Sequence, residues 1–316
     1  MATKHRENIK DKGERNLIQS FDDLLKAVTS LPKRHIAVAA AHDLEVLEAI
    51  EHAVRFGLVH ATLVGKKSII EELATKHQLD LSSMKIVDAE DAIQAARKAV
   101  EMVSNGEAHM LMKGIVDTAN LLRAVLDKEI GLRTGNLICH VAVMEVPGLK
   151  RLLFMTDGGM NIAPTLEQKV DILQSALTVA RRFGVQQPKV VPLAAFEQVN
   201  PKMQATVDGQ ALHEMALAGQ FGDALVSGPL AFDGALVPEA AKHKGITGSI
   251  AGHADIVLVP YIEVGNVMYK SLVYFGQTKV AGVVVGARKP IVLTSRSDSP
   301  EAKFRSIAVA SYLANE

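Results

Sequence analysis

Between residues 36 and 126 the chain alternates short β-branched runs with longer stretches of helical periodicity, and this alternation is the strongest constraint on its fold. Runs at 36–39, 61–64, 86–87 and 110–112 are each followed by helical patterns at 44–56, 68–77, 89–103 and 118–126. A strand, a helix and a strand repeated in this order build a parallel sheet with right-handed crossovers, so the fold class is α/β. Ligands of such sheets bind beyond the carboxyl ends of the strands. Lys113-Gly114, directly after Met110-Leu111-Met112, occupies such a position.

The middle of the chain breaks the pattern. Apolar runs at 137–146 and 151–155 flank the turn signal Val146-Pro147-Gly148, which predicts an antiparallel hairpin and a change of topology. We therefore place a second α/β domain at 136–287, with 1–135 and the returning segment 288–316 forming the first. Further strands are expected at 190–193, 224–226, 256–259, 280–285 and 291–293, separated by helices near 165–183, 208–219, 264–276 and 300–314. Thr165-Leu166-Glu167-Gln168 has the spacing of a capping box, which leaves Asp157 to Pro164 in a glycine-containing loop.

Composition narrows the function classes. Of 316 residues, 48% are hydrophobic and 22% charged, with 35 acidic and 35 basic side chains. That balance argues against a nucleic-acid or membrane-surface partner held by bulk charge. Absence of Trp removes the usual stacking platform for single-stranded nucleic acid. No apolar stretch has the length of a membrane span, and Met1 to Arg15 is charged without a following apolar core, so the expected location is the cytoplasm. A single cysteine, Cys139, excludes an internal disulfide and suits a reducing compartment. Inside an apolar run it reads as a buried small hydrophobe, and His140 beside it as a satisfied interior or cleft-edge histidine rather than half of a Cys/His pair, because adjacent strand residues face opposite sides. Dinucleotide, P-loop, nucleophile-elbow and zinc-helix fingerprints are all missing.

The segment Thr294-Ser295-Arg296-Ser297-Asp298-Ser299-Pro300-Glu301 lies between a strand-like run and the last helical pattern. Ser299 suits an N-cap and Pro300 the first helical turn. The loop sets hydroxyls and a guanidinium beside a helix N-terminus, where free amides and the dipole favour an anion, and Arg296 can grip phosphate with two N–H groups. Equally compatible with the local pattern is a plain turn whose Ser and Asp cap the helix and whose Arg is solvated.

Taken as an ordered set, six segments resemble the phosphate acetyltransferase and phosphate butyryltransferase family: Lys113-Gly114, Gly131-Leu132-Arg133-Thr134-Gly135, Asp157-Gly158-Gly159, Ser227 to Asp233, Gly265 to Lys270, and Ser295-Arg296. The likeness extends over roughly residues 36–312, and the wording around 112–118, 131–135 and 156–161 is similar to the butyryl branch. It implies a two-domain fold like that of isocitrate and isopropylmalate dehydrogenases, with an interdomain cleft and homodimers or higher homo-oligomers built through the second domain. It also implies an enzyme that converts a short-chain acyl-CoA and inorganic phosphate to an acyl phosphate and coenzyme A. Coenzyme A is then a substrate, and neither a metal nor a permanently bound cofactor is expected. On this resemblance Ser295 donates to the developing oxyanion and Arg296 anchors phosphate. Lys113, Gly114, Arg133, Thr134, Asp157, Asn266 and Lys270 are expected to bind substrate. The chain departs from the acetyl branch at Ala302, where that branch has an aspartate proposed as base for the thiol; Asp298 is the nearest carboxylate here. Two other functions suit the same architecture: a metal- and nicotinamide-dependent dehydrogenase, or a catalytically silent acyl-CoA-binding relative, for which Ala302 is the best argument.

Overall fold

The computed structural model describes residues 17–295 and 298–315. The elements run in the order α1 (Phe21–Thr29), β1 (Arg34–Ala39), α2 (Leu44–Arg55), β2 (Val59–Gly65), α3 (Lys67–His77), β3 (Lys85–Asp88), α4 (Ala92–Ser104), β4 (Met110–Lys113), α5 (Thr118–Val125), β5 (Cys139–Glu145) and β6 (Leu153–Thr156). After these come α6 (Leu166–Arg182), β7 (Lys189–Pro192), α7 (Gln204–Leu217), β8 (Leu225–Val226), α8 (Phe232–Leu236), α9 (Pro238–His243), β9 (Ile256–Leu258), α10 (Ile262–Tyr274), β10 (Lys279–Val285), β11 (Ile291–Val292) and α11 (Pro300–Ala314).

Among the described residues the strands join one mixed sheet of eleven, ordered β3-β2-β1-β4-β11-β10-β5-β6-β9-β7-β8. The first wing, β3-β2-β1-β4-β11, is parallel throughout, as the alternation predicts. The expected hairpin is present as the antiparallel pair β5 and β6. Strand β10 runs antiparallel to both β5 and β11, so the chain direction reverses at the centre of the sheet. Beyond it β6, β9, β7 and β8 are again parallel to one another. The C-terminal segment returns to the first wing, because β11 pairs with β4.

Local chemistry explains the helix boundaries. The capping box at the start of α6 is made: the Thr165 amide donates to the Gln168 side chain at 2.9 Å, and the Gln168 amide donates to the Thr165 hydroxyl at 3.3 Å. Ser299 caps α11 by accepting from the Ala302 amide at 3.3 Å, and Pro300 follows it. Helix α1 was not anticipated. Its marks are the Ser20 cap, which accepts from the Asp23 amide at 3.1 Å, and the buried triplet Phe21, Leu24 and Val28 at helical spacing.

The two faces of the sheet differ in a way that places the site. One face carries a continuous core, from Ile36 and Met110 in the first wing through Val141 and Val283 to Ile256, roofed by α1, α2, α6, α7 and α11. Burying each such aliphatic side chain stabilises the fold by about 1.5–3 kcal/mol. The opposite face carries two cores: one beneath α4 and α5, around Leu111, Ala99 and Val125, and one on the far wing, around Met144, Leu153 and Val257. Strand β10 crosses the seam between them, with Val280 in one core, Val284 in the other, and Gly282 midway on the same face. No helix among the described residues is long and apolar enough to cross a membrane.

Candidate active site

A cavity of about 320 Å³ opens in that seam. Strand β4 delivers the buried Lys113 to its wall, with the ammonium 3.4 Å from the Gly114 carbonyl. Gly114 then lets the chain cross the end of β1: its amide donates to Ala39 O at 2.7 Å, and a Cβ there would stand 2.2 Å from Ala40 O. Any other residue at 114 would push the chain off the strand end.

Helix α10 supplies one long wall. Asn266, Tyr269, Lys270, Val273 and Tyr274 line the cavity at the i, i+3, i+4, i+7 and i+8 spacing of a single helical face. The helix sits close because Gly265 meets the Gly158-Gly159 loop without side chains between them; a Cβ on Gly265 would be 2.5 Å from Gly158 Cα. Asp157 shapes that loop from below. Its buried carboxylate accepts from the amides of Gly159 (2.8 Å) and Met160 (2.9 Å) and from the Asn161 side chain (2.7 Å).

The stretch from β11 to α11 closes the other side, with Leu293, Thr294, Ser295 and Asp298 all lining the cavity. Asp298 organises the loop. One carboxylate oxygen accepts from the Ser295 amide at 2.8 Å and the other from the Tyr269 hydroxyl at 3.3 Å. Burial, and then the negative charge of Asp298, push the Tyr269 phenol upward, so that it stays a protonated donor. Lys303, buried in the first turn of α11, donates to the Asp298 carbonyl and to Glu45 on α2 at 2.7 Å, fastening the loop to the first wing.

Of the residues singled out in the sequence, the structure thus gathers Lys113, Asn266, Lys270, Ser295 and Asp298 around one cavity, with Gly114 directly behind Lys113. Arg296 lies outside the described residues. Arg133 and Thr134 are not brought to the cavity wall: Arg133 is exposed, and the Thr134 hydroxyl donates to the Gly286 carbonyl. Asp157 supports the loop from behind without lining the cavity. His140 and Tyr269 line it although the sequence reading gave neither a role. The strand alternation that buries Cys139 on one side already implied that His140 faces the other.

The profile of the phosphate acetyl/butaryl transferase family matches residues 20–98 and 91–311. The chain belongs to this family. A phosphate butyryltransferase from Clostridium beijerinckii is 48% identical over 296 residues, covering 94% of this chain and 98% of the relative. A phosphate acetyltransferase from Thermotoga maritima is 42% identical over 281 residues, covering 89% and 95% respectively. Among solved structures, a branched-chain phosphotransacylase from Enterococcus faecalis superposes with a TM-score of 0.80 at 35% identity, covering 90% of this chain and 99% of that one. This phosphate acyltransferase family member spreads the lining of its cavity over separate parts of the fold: the end of β4, the start of α5, strand β5, the loop after β6, helix α10 and the stretch after β11.

Proposed function

We propose that the enzyme converts a short-chain acyl-CoA and inorganic phosphate to an acyl phosphate and coenzyme A, with butyryl or a branched short chain as the acyl group. The observation that carries this reading is the convergence of Lys113, Lys270 and Ser295 on one cavity beside the N-terminus of α11, in a chain of this family. Two ammonium groups and a helix N-terminus suit a phosphate dianion. The Ser295 hydroxyl is the donor for the carbonyl oxygen as it gains charge, and Arg296 the guanidinium that grips phosphate. Each well-placed donor of this kind lowers such a barrier by about 3–4 kcal/mol.

In the direction of acyl-CoA synthesis the thiolate of coenzyme A attacks the acyl carbon directly and phosphate departs. The ordinary thiol pKa of about 8.5 leaves a few per cent ionised near neutrality, so charge stabilisation supplies more of the rate than deprotonation. Val116, Met155, Val273 and Leu293 give the cavity an apolar strip on which a short acyl chain can lie. Each methylene on such a strip changes specificity by only about 1–3 kcal/mol. The finer architecture we assign is the two-domain dehydrogenase-like one, with 1–135 and 288–316 against 136–287, the cavity as interdomain cleft, a homodimer built through the second domain, and a cytoplasmic location. Thioester formation from coenzyme A with acetyl, propionyl, butyryl and isobutyryl phosphates tests the activity and its chain length together. Turnover of none of the four would overturn the reading, and preference for acetyl phosphate would overturn the acyl assignment.

A further inference from the structure

Acyl transfer to a thiol needs somewhere for a proton to go, and the residues so far placed at the site handle it badly. Ala302 carries no carboxylate, and Asp298 already spends both oxygens, on the Ser295 amide and the Tyr269 hydroxyl.

Strand β5 brings a different group into the seam. Alternation turns Cys139 into the continuous core, where burial pushes its thiol up to about 12, and turns His140 into the cavity. The imidazole fits because two neighbours lack side chains: a Cβ on Gly282 would stand 2.6 Å from Nε2, and one on Gly159 would stand 3.3 Å from Cγ. The backbone of His140 is satisfied, its carbonyl accepting from the Thr156 hydroxyl at 2.9 Å. Its ring is not. Nδ1 is enclosed and has no hydrogen-bond partner among the described residues, an arrangement that costs stability. The residue as a whole is only half-buried, so the ring, held by packing, still meets the cavity that it lines.

The groups around it set its protonation. Burial, the largest influence, holds the imidazole below the ordinary histidine value, while Asp157 after β6 and Asp298 before α11 pull in the opposite direction. Lys113 from β4, and Tyr269 and Lys270 from α10, line the same cavity. Burial thus favours the uncharged ring, and a phosphate dianion docked beside it would raise its basicity.

We propose that His140 is a catalytic residue, the carrier of the proton exchanged between the thiol of coenzyme A and the phosphate oxygen. The proposal rests on the acyl-transfer reading above. In acyl-CoA synthesis the imidazole takes the S–H proton as sulfur bonds to the acyl carbon. The bond from that carbon to the phosphate oxygen breaks, and the imidazolium gives its proton to the departing oxygen, which leaves as hydrogen phosphate rather than as the trianion. In the reverse direction hydrogen phosphate gives its proton to His140 as its oxygen attacks, the C–S bond breaks, and the departing thiolate takes the proton. No proton or electron pair is left over in either direction, and no further reactant is needed.

The test compares wild type, His140→Ala and His140→Gln in both directions, with butyryl-CoA plus phosphate and with butyryl phosphate plus coenzyme A. We expect kcat to fall about a hundredfold or more while KM changes little, as for removal of a general acid–base. In the thiol direction the deficit should narrow as pH rises past about 8.5, where the thiol ionises unaided. Added imidazole should restore about tenfold to His140→Ala by entering the vacated space. Gln keeps most of the ring's volume but cannot carry a proton, so a folded Gln variant with the same loss separates chemistry from packing. Variants within about tenfold of wild type, or a deficit that is the same at every pH and indifferent to imidazole, would overturn the role. Wild type inert toward every acyl phosphate would remove the acyl-transfer reading and this proposal together; active wild type with active variants would remove the histidine alone.

Discussion

A large groove and the smaller seam cavity to which we assign the chemistry differ in more than size. A groove of about 1330 Å³ runs along the β7–β8 edge, past Phe196, His213, Ser227 and Lys244, while the seam cavity measures about 320 Å³. Charges at the groove are matched to one another. Lys244 lies 2.7 Å from Asp233 and 3.1 Å from Glu197, and His213 spends Nδ1 on the Val226 carbonyl at 2.7 Å. In the seam cavity an enclosed imidazole nitrogen has no partner among the described residues, and a carboxylate holds two different elements in place. Volume reports only where the fold leaves space; what can bind there depends on the groups that line it.

The contrast is broken most severely at the phosphate grip. Arg296→Ala should cut turnover about a hundredfold or more with folding intact, as expected for loss of a charged donor to the reacting phosphate. Steady-state kinetics at normal thermal stability checks it, and near-normal rates would remove the anchor role. Asp298→Asn should cost less, roughly fivefold to tenfold, because Asn keeps one acceptor and loses only part of an interaction worth about 1–3 kcal/mol. Its signature is a lower kcat without a displaced pH profile, since Asp298 acts by holding Ser295 and Tyr269. A displaced profile would make Asp298 the titrating group after all. The smallest effect is expected at the groove. Lys244→Ala breaks two solvent-exposed ion pairs of a kind worth about 0–1 kcal/mol each, and should change turnover by less than about twofold. A larger loss would mean that the groove communicates with the site.

Much of this organisation was legible before any coordinates. The alternation through 126 marks the parallel wing, Val146-Pro147-Gly148 marks the β5–β6 hairpin, and Thr165 and Ser299 mark two helix starts. These are local signals, set by dihedral preference, capping and side-chain period within a few residues. Site residues chosen from ordered motifs end in different places for the same reason. Lys113, Asn266, Lys270, Ser295 and Asp298 sit on strand ends, a helix face and a loop that converge on the seam. Thr134 and Asp157 belong to equally prominent motifs but turn toward backbone partners, and Arg133 is exposed away from the cavity lining. A motif records that a residue matters, not which way it points.

The sequence alone determined the α/β class, the family, the break in topology after residue 136 and the loop at the mouth of α11, because each follows from patterns read over neighbouring residues. Only the tertiary structure decided that the core on one face splits into two, that Gly159 and Gly282 vacate the space His140 fills, and that Asp298 is committed to two partners. Those facts depend on strands distant in the chain lying edge to edge. Alternation within a strand fixes which face each side chain takes, but which distant strand lies beside it is decided by the packing of the whole sheet.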